Sequence, residues 1–296
     1  MTIEKDHFSL LQRLIFKICR KRMSDKTYAE WMLKRWHGNE GSIDDPKTFN
    51  EKIQWLKLYD RNPKYSQLVD KFSVRDFVSK KIGDQYLNEL YFLYNSPTEI
   101  NFDKLPDSFV LKATHSSGDN LIVEDKSLLN QMDTRVKITQ WQAENFYLDG
   151  REWVYKNIPP RIVCERLLKD NQGNLPKDYK VFCFNGEPYF IQVDVDRFKN
   201  HTRAIFDTKW RKQEFELLHE MATQLIEPPH NLPEMIGLAR ELSRDIPFVR
   251  IDFYALPEIV FGEMTLYPGN GFEPFRPTEW DGKLGELLEL PIKFTK

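Results

Sequence analysis

Two acidic side chains, Asp252 and Glu263, are predicted to face each other across a β-hairpin. Apolar residues recur along 248–254 and 259–265 in a pattern that predicts two strands. Pro257 lies between them, and its fixed negative φ excludes the first position of a primed two-residue turn. A four-residue loop on a type I turn, centred just after Pro257, is therefore expected, and this register places the two carboxylates on one face of the sheet.

Two like charges at opposed positions destabilise a hairpin, because their Cβ atoms lie only about 4.5–5.5 Å apart. A positive group is expected to compensate, and the sequence leaves two hypotheses open. One is a divalent cation held by both carboxylates, since hard cations take oxygen ligands. The other is a structural ion-pair cluster in which Arg250, opposite Thr265 in the same register, neutralises the pair.

Lys112 ends a predicted strand, 109–112, and precedes a loop of small polar residues at 113–120. An ammonium group supplies a point charge, and the backbone N–H groups of such a loop can surround phosphate oxygens. The pattern indicates an anion site, with an ordinary solvent-facing lysine as the alternative. The sequence has neither a Walker A motif nor Gly-x-Gly-x-x-Gly, which argues against P-loop and Rossmann proteins.

Glu165 lies in a predicted strand, 161–168, whose backbone and carboxylate could meet an adenine edge. A plain core strand is the alternative interpretation. Further along the chain, Arg197, Lys199 and Arg203 could pair with the carboxylate of an acidic sugar or an amino acid, or could form a solvated charged turn.

Asn270 lies in a loop, 269–275, whose glycines permit the close approach of a substrate. The sequence does not identify a general base. His115 and Asp194 are candidates for that role, whereas His201 is expected at the surface or in contact with a substrate.

The composition limits the classes of protein that these residues can belong to. The 296 residues carry 43 Lys+Arg and 45 Asp+Glu, a formal net charge of −2, which argues against a nucleic-acid-binding protein. Apolar runs are far shorter than the roughly 20 residues that span a bilayer. Hydrophobic residues make up 41% of the chain and aromatic residues 14%, which excludes a disordered chain. Cys19, Cys164 and Cys183 lack metal-ligand spacing and predict buried thiols in a reduced, cytosolic protein.

Both helices and strands are predicted. The pattern is helical to about residue 101, and Thr48 with Glu51 predicts a capping box at the start of one helix. Strand signals begin at 108–114. Asn185-Gly186 indicates a type I′ hairpin turn between the strands 178–184 and 187–193. This mixture predicts an α/β or α+β fold.

The N-terminal segment 8–23 is predicted to be a basic amphipathic helix. Basic residues interrupt its apolar positions, which argues against the continuous apolar region of a signal peptide. We expect it either to dock on the body of the protein or to contact an anionic membrane surface.

Taken in order, these motifs resemble those of the ATP-grasp superfamily. Arg250-Ile251-Asp252 and Glu263-Met264-Thr265-Leu266-Tyr267-Pro268-Gly269 are similar to the Arg-x-Asp and Glu-x-Asn-x-x-Pro-Gly signatures of D-alanine:D-alanine ligase-type enzymes. Within the superfamily the chain most resembles the TupA-like ATP-grasp proteins of bacterial polysaccharide and teichuronopeptide biosynthesis. The resemblance covers about 46–284, and the segments that carry it are 47–57, 109–112 with His115, 178–186 and 262–265.

The resemblance implies an α+β ATP-grasp fold that holds a nucleotide between two α+β lobes, with ATP and Mg²⁺ as cofactors. It implies a mainly helical N-terminal region with a pre-ATP-grasp element at 1–104. A small lobe at 105–195 and a C-terminal lobe carrying the metal site at 196–296 would follow.

The resemblance also assigns roles to individual residues. The implied nucleotide-binding residues are Lys71, Lys112, Ser116, Ser117, Gly118, Glu165, Arg166, Leu168, Asp178 and Lys180. Catalysis would fall to Arg250 with Lys112, and Mg²⁺ to Asp252 with Glu263. Thr265 stands where the family has a metal-binding Asn, so Asn270 or a water would have to complete a second metal site. The expected substrate residues are His115, Arg197, Arg203 and Asn270.

The activity that the resemblance implies is an ATP-dependent carboxylate–amine ligase that works through an acyl phosphate, for example joining an amino acid to a uronic acid of a surface glycan. An ATP-grasp kinase acting on a glycan hydroxyl is the first alternative. A glycosyltransferase using Asp194-Val195-Asp196 is the second. The expected partners are small-molecule or glycan substrates and no nucleic acid, at a cytoplasmic location with possible peripheral membrane contact.

Overall fold

The computed structural model describes residues 22–38, 41–195 and 201–292. The helices within these ranges are α1 (Asp25–His37), α2 (Phe49–Tyr59), α3 (Lys64–Val69), α4 (Val74–Ile82), α5 (Gln131–Ala143), α6 (Tyr147–Gly150), α7 (Leu232–Ser243) and α8 (Glu279–Leu287). The strands are β1 (Leu90–Tyr94), β2 (Phe109–Ala113), β3 (Asn120–Val123), β4 (Ile162–Arg166), β5 (Asp178–Phe184), β6 (Glu187–Val195), β7 (Thr202–Asp207), β8 (Glu216–Leu217), β9 (Phe248–Ala255), β10 (Ile259–Thr265) and β11 (Phe275–Arg276).

Two antiparallel sheets dominate the structure. The smaller has the strand order β1-β4-β2-β3, and the larger has the order β10-β9-β5-β6-β7. Each sheet has its own hydrophobic core. The small core joins β2 and β4 to α5 through Phe109, Leu111, Ile138 and Trp141, while the large core includes Ile251. The arrangement of helices with antiparallel sheets confirms the predicted α+β class.

The larger sheet has one apolar face and one polar face, because side chains alternate along each strand. On the apolar face, α7 packs against β5, β6 and β9. Cys183 lies there, with its thiol 3.9 Å from the carbonyl oxygen of Ala239 in α7. The opposite face carries the charged side chains that form the candidate site.

The sheets divide the chain differently from the predicted lobes. β1 lies in the region expected to be mainly helical, yet it pairs with β4 of the small sheet. β5 and β6 were assigned to the small lobe, yet they pair with β9 and β7 of the large sheet. The boundary predicted at residue 195 therefore falls inside one continuous sheet, since the Asn185-Gly186 hairpin supplies that sheet's central strands.

Local signals located two elements well. Thr48 caps α2, and both hydrogen bonds of the predicted capping box with Glu51 are present. Asn185 and Gly186 have φ values of 51° and 84°, as a type I′ turn requires. Both turns depend on residues adjacent in sequence, which is why the sequence alone suffices to predict them.

The second hairpin has the predicted pairing but a different turn. Ala255 pairs with Ile259, so the loop has three residues rather than four. A three-residue loop alone would turn Asp252 and Glu263 to opposite faces. A bulge at Gly262 inserts one extra residue into β10 and restores the opposition of the two carboxylates. The predicted register was therefore right at the carboxylates and wrong at the turn.

The two described cysteines, Cys164 and Cys183, are buried free thiols, as expected. Burial raises the pKa of each thiol to about 12, so both are protonated at neutral pH. None of the helices described is long and apolar enough to cross a membrane. Nearly all of the basic segment 8–23 lies outside the described residues.

Candidate active site

A row of charged side chains crosses the polar face of the large sheet. Lys180 on β5 pairs in register with Asp252 on β9, which pairs in turn with Glu263 on β10. The Lys180 ammonium donates to Asp252 at 2.9 Å and also contacts Asp178. The strand register thus brings together four residues that the resemblance named.

Arg250 neutralises much of the negative charge in this row. Its Nε and Nη2 donate to the two Asp252 oxygens at 2.7 and 2.8 Å, and Nη2 also donates to the Thr265 hydroxyl at 3.2 Å. Glu263 lies 3.6 Å away. Burial opposes the charge of Arg250, but Asp252 more than offsets it, so the pKa of the guanidinium is raised. Burial likewise opposes the charge of Asp252, but Arg250 and Lys180 outweigh it and hold the pKa of that carboxyl below its ordinary value.

The carboxylate pair fits a Mg²⁺ ion that takes its other ligands from phosphates and water. Mg²⁺ commonly uses only one or two protein carboxylates. The described residues contain no group of three His, Cys, Asp or Glu able to hold a metal, which agrees with such a sparse site. Asp252 accepts three hydrogen bonds out of roughly four possible, and Glu263 is one-third exposed. In the ligand-free chain Arg250 and Lys180 supply the compensating charge, as the ion-pair hypothesis expected.

The small sheet turns a second charged cluster towards the first. Lys112 on β2 and Glu165 on β4 lie on one face and form an ion pair at 2.7 Å. Arg75 of α4 approaches the other Glu165 oxygen at 3.4 Å. Burial opposes the charge of Lys112, but Glu165 more than offsets it, so the pKa of the ammonium is raised. Glu263 of the large sheet also raises that pKa, which shows that the two polar faces share one cleft.

Lys71 connects the two faces. Its ammonium donates to the Ser116 carbonyl at 2.5 Å and lies 3.7 Å from Glu263. The loop after β2 also contains Ser117 and Gly118, both exposed, and Gly118 has a φ of 86°. The buried Ser116 hydroxyl donates to Asp119 at 2.6 Å. The loop predicted to bind phosphate therefore lies at the cleft, with Lys71 anchored beneath it.

The proposed adenine contact is only partly available. The N–H and C=O groups of Arg166 bond to Glu89 and Asn88, so the edge of the backbone at Arg166 is already occupied. Glu165 is engaged by two cations rather than left open to a base. Leu168 follows directly and is half-buried. An adenine-binding role for Arg166 would require its present pairing with the segment before β1 to open.

The predicted substrate residues are dispersed. His115 is buried, and its Nε2 contacts the Trp141 carbonyl at 3.0 Å; burial lowers the pKa of the ring. This core position corrects the expectation that His115 meets a substrate. Arg203 donates to Asp194 at 2.8 Å and lies 3.6 Å from Glu273, so it is already paired with carboxylates.

The remaining substrate candidates stand as follows. Arg197 and Lys199 lie outside the described residues. Asn270 is on the turn after β10 with a φ of 59°, and its side chain lies against Gly150, where an added Cβ would come within 1.9 Å of its Oδ1 atom. Its amide is therefore directed at the Gly150 segment.

Sequence reasoning missed two charged residues near the cleft, Arg75 and Glu152. Arg75 reaches Glu165 over 90 residues of sequence, and the helical pattern gives no sign of this contact. Glu152 is buried, and its pKa is raised to about 7, chiefly by burial, with Lys57 and Arg250 acting in the opposite direction. Its position in an irregular segment after α6 carries no sequence signal of burial.

Two antiparallel sheets with charged faces turned towards one cleft constitute the ATP-grasp fold, as predicted. The chain belongs to the TupA-like ATP-grasp family, whose model matches residues 51–289, about four-fifths of the sequence. Comparison with curated proteins gave no match.

Solved structures similar to this chain include three ATP-grasp proteins. D-alanine–D-alanine ligase from Bacillus anthracis is 18% identical, with a TM-score of 0.38, over 67% of this chain and 57% of that one. The ligase PsnB, complexed with a precursor variant, Mg and ADP, is 12% identical, with a TM-score of 0.42, over 80% and 64%. The ADP complex of purK is 12% identical, with a TM-score of 0.40, over 73% and 50%. The chain thus spans between half and two-thirds of the length of these structures.

Proposed function

We propose that this protein is an ATP-dependent carboxylate–amine ligase that forms an amide through an acyl phosphate. The observation that carries the proposal is the convergence of Lys71, Lys112, Lys180 and Arg250 around the Asp252–Glu263 pair in a family of ATP-grasp proteins. The proposed acceptor is a uronic acid of a bacterial surface polysaccharide, and the amine is an amino acid or a similar compound. The glycan assignment rests on the family resemblance.

The lysines suit the phosphates of ATP. Transfer of a phosphoryl group requires positive charge around its oxygens and around the leaving diphosphate. Lys112 and Lys180 are nearly enclosed in protein, where a charge is screened less than in water. Each has a carboxylate partner in the ligand-free chain, which keeps the ammonium charged and oriented until a nucleotide arrives.

Asp252 and Glu263 are the residues that would hold Mg²⁺. When bound with ATP, the ion supplies positive charge to the phosphate oxygens and orients the chain of phosphates. Glu263 is free to turn, since its two cationic neighbours stay beyond 3.5 Å. Asp252 is fixed by Arg250 and Lys180 and would act as the rigid member of the pair.

Arg250 suits the charge that develops on the acyl group. A carboxylate is a poor electrophile, and phosphorylation gives it a good leaving group. The amine then attacks, and negative charge develops on the carbonyl oxygen. Asp252 and Thr265 hold Nε and Nη2 of Arg250, while Nη1 makes no hydrogen bond with the described residues. A fixed, charged donor of this kind stabilises such an oxyanion without having to reorganise.

The test is an ATP-consumption assay across uronic acids and amino acids, with hydroxylamine added in parallel to trap any acyl phosphate as a hydroxamate. The proposal predicts ADP, phosphate and an amide, with a hydroxamate in the trapping reaction. ADP release with a hydroxyl acceptor and no hydroxamate would instead identify the kinase. Release of AMP or UDP would contradict the ligase mechanism.

We also propose a cytoplasmic location, where ATP and Mg²⁺ are supplied and thiols stay reduced. Contact of the basic segment 8–23 with the inner face of the membrane is part of this proposal. Deleting residues 1–22 should abolish binding to anionic vesicles and leave ATP turnover in solution. Undiminished vesicle binding by the truncated protein would contradict the membrane role.

A further inference from the structure

A polar stripe on α2 contacts the turn that follows β10. Asn50, Gln54 and Lys57 occupy positions i, i+4 and i+7, so they lie on one face of the helix. All three are almost completely buried, with at most 2% of their surface exposed. We use the name α2 stripe for these three residues.

The α2 stripe binds main-chain carbonyl groups of one short segment, 270–273. Gln54 Nε2 donates to the carbonyls of Asn270 and Gly271, both at 2.8 Å. Lys57 Nζ donates to the same Asn270 carbonyl at 2.8 Å. Asn50 Nδ2 donates to the Glu273 carbonyl at 3.1 Å. Four hydrogen bonds therefore hold a segment more than 200 residues away in sequence.

The segment needs this support because its backbone is unusual. Gly269, Asn270 and Gly271 all have positive φ values, of 55°, 59° and 68°. A run of left-handed residues persists only where the surroundings determine it. The fit is close, since a Cβ on Gly271 would come within 2.5 Å of Ile53 and 2.6 Å of Gln54. The α2 face thus serves as the template for the turn.

Lys57 also ties this turn to a second segment. Its ammonium donates to the Gly150 carbonyl at 2.8 Å and lies 4.7 Å from the centre of the Phe272 ring. Gly150 is the residue against which the Asn270 side chain packs. A single buried cation therefore fixes the turn and the end of α6 together.

The turn adjoins the candidate site. It begins three residues after Thr265, which accepts a hydrogen bond from Arg250. Glu273, at its end, lies 3.6 Å from Arg203. The nucleotide-facing lysines Lys71 and Lys112 contact the other side of the cleft. The turn is thus placed at the acceptor side rather than at the phosphate side.

We propose that the α2 stripe is a set of positioning residues that holds the 268–273 turn in the conformation required for the acceptor. The inference relies on the proposed function only in assigning the turn to the acceptor side. The residues act through main-chain carbonyls and do not touch the reacting atoms.

The chain contains a matched control for Lys57. Lys52 lies on the same helix, and its ammonium also donates to two main-chain carbonyls, those of Gly285 and Leu288, at 2.8 and 2.7 Å. Those carbonyls lie at the end of α8 and not at the turn. Lys57→Met and Lys52→Met therefore remove the same chemistry from two different places.

The experiment compares hydrogen–deuterium exchange and nucleotide affinity in the two variants. Lys57→Met should speed amide exchange within 268–273 by a factor of about 10 or more, with the affinity for Mg²⁺·ATP within twofold of wild type. Lys52→Met should leave the turn unchanged. Equal protection of the turn in both variants would overturn the proposal, as would a loss of ATP affinity confined to Lys57→Met. If Lys57→Met does not fold, Gln54→Met provides the same comparison.

A kinetic arm uses whichever uronic acid and amine give turnover in the wild type. Lys57→Met should lower kcat/KM for the acceptor by a factor on the order of 10–100 and leave KM for ATP within twofold. An unchanged acceptor kcat/KM would contradict the positioning role. If no pair gives turnover in the wild type, the proposed ligase function fails, and the exchange and affinity results still decide whether the α2 stripe holds the turn.

Discussion

Asp252 and Glu263 lie directly opposite each other on neighbouring strands because β10 carries a bulge one residue before Glu263. The three-residue turn of this hairpin would otherwise send the two carboxylates to opposite faces of the sheet. Gly262 provides the extra residue, and the two acidic groups meet beside Arg250 as a consequence. The metal-binding pair thus depends on the backbone at a position that carries no functional side chain.

Gly262→Ala should therefore weaken both the fold and the site. A Cβ there would lie 3.0 Å from the Asp252 carbonyl oxygen and 3.4 Å from its carbon, which is tight against rigid backbone. We expect a loss of unfolding free energy of about 1–3 kcal/mol, the usual cost of overpacking, measured by urea unfolding. Gly237→Ala is the control, since that helical glycine has open space around it and should gain about 0.5–1 kcal/mol. Equal effects of the two substitutions would refute the role of the bulge.

The comparison of this hairpin with the first shows what the sequence could determine. Asn185 and Gly186 fix their turn through local φ preferences, so the register of β5 and β6 was predictable. The bulge at Gly262 depends on contact with the neighbouring strand, and a glycine in a strand does not reveal whether it bulges. The α2 stripe was invisible for the same reason, because a polar helix face usually meets water and here meets residues 270–273.

The site was predicted in part. The residues in strand register, Lys112, Lys180, Asp252 and Glu263, come together because short motifs on adjacent strands are brought together by hydrogen bonding. His115 was misplaced, since its motif position gave no information on which side of the loop the ring would enter.

Lys112→Ala should lower the affinity for ATP by a factor on the order of 10–100, because a charge-assisted contact contributes about 1.5–3 kcal/mol. Loss of the ammonium leaves Glu165 paired with Arg75, so the small lobe should remain folded. Lys169→Ala is the control, as Lys169 forms a comparable 2.8 Å ion pair with Glu124 at the surface. Titration with ATP checks the result, and equal affinities of the two variants would remove Lys112 from the site.

Glu152→Gln should alter the pH dependence of stability. Burial raises the pKa of Glu152 to about 7, so between about pH 4.5 and 7 the folded state keeps a proton that the unfolded state has lost. Stability of the wild type should therefore fall as pH rises through this window. Glu152→Gln removes this contribution, and its stability relative to wild type should increase by about 1–3 kcal/mol from pH 5 to pH 8. Urea unfolding across this range is the measurement.

Glu124→Gln is the control for the pH series, since Glu124 is solvent-exposed and folding changes its surroundings little. Its stability relative to wild type should stay flat with pH. A flat profile for Glu152→Gln as well, or one that slopes downwards, would show that Glu152 is not held in a buried environment.

Asp252→Asn should destabilise the fold, contrary to the simple expectation for a metal ligand. The Asp252 carboxylate neutralises Arg250 and Lys180, and its loss leaves two buried cations without their common partner. Breaking a buried ion pair by removing one member costs about 3–5 kcal/mol. Chemical unfolding of the ligand-free variant measures this loss, and a wild-type stability would contradict the ion-pair geometry.

Glu263→Gln isolates the metal-binding role, because Glu263 is one-third exposed and its cationic neighbours lie at 3.6 and 3.7 Å. The ligand-free fold should therefore stay close to wild type in stability. Glu258→Gln, at the exposed turn of the same hairpin, is its control.

The most direct test of the account is the thermal stabilisation by Mg²⁺ and ATP in these two variants. Saturating ligand should stabilise the wild type and Glu258→Gln by about 2.7 kcal/mol at a concentration 100 times Kd. In Glu263→Gln, most of the gain that depends on Mg²⁺ should disappear, while the melting temperature without ligand is retained. A full Mg²⁺-dependent shift in Glu263→Gln would contradict the assignment of the metal site and the ligase mechanism that depends on it.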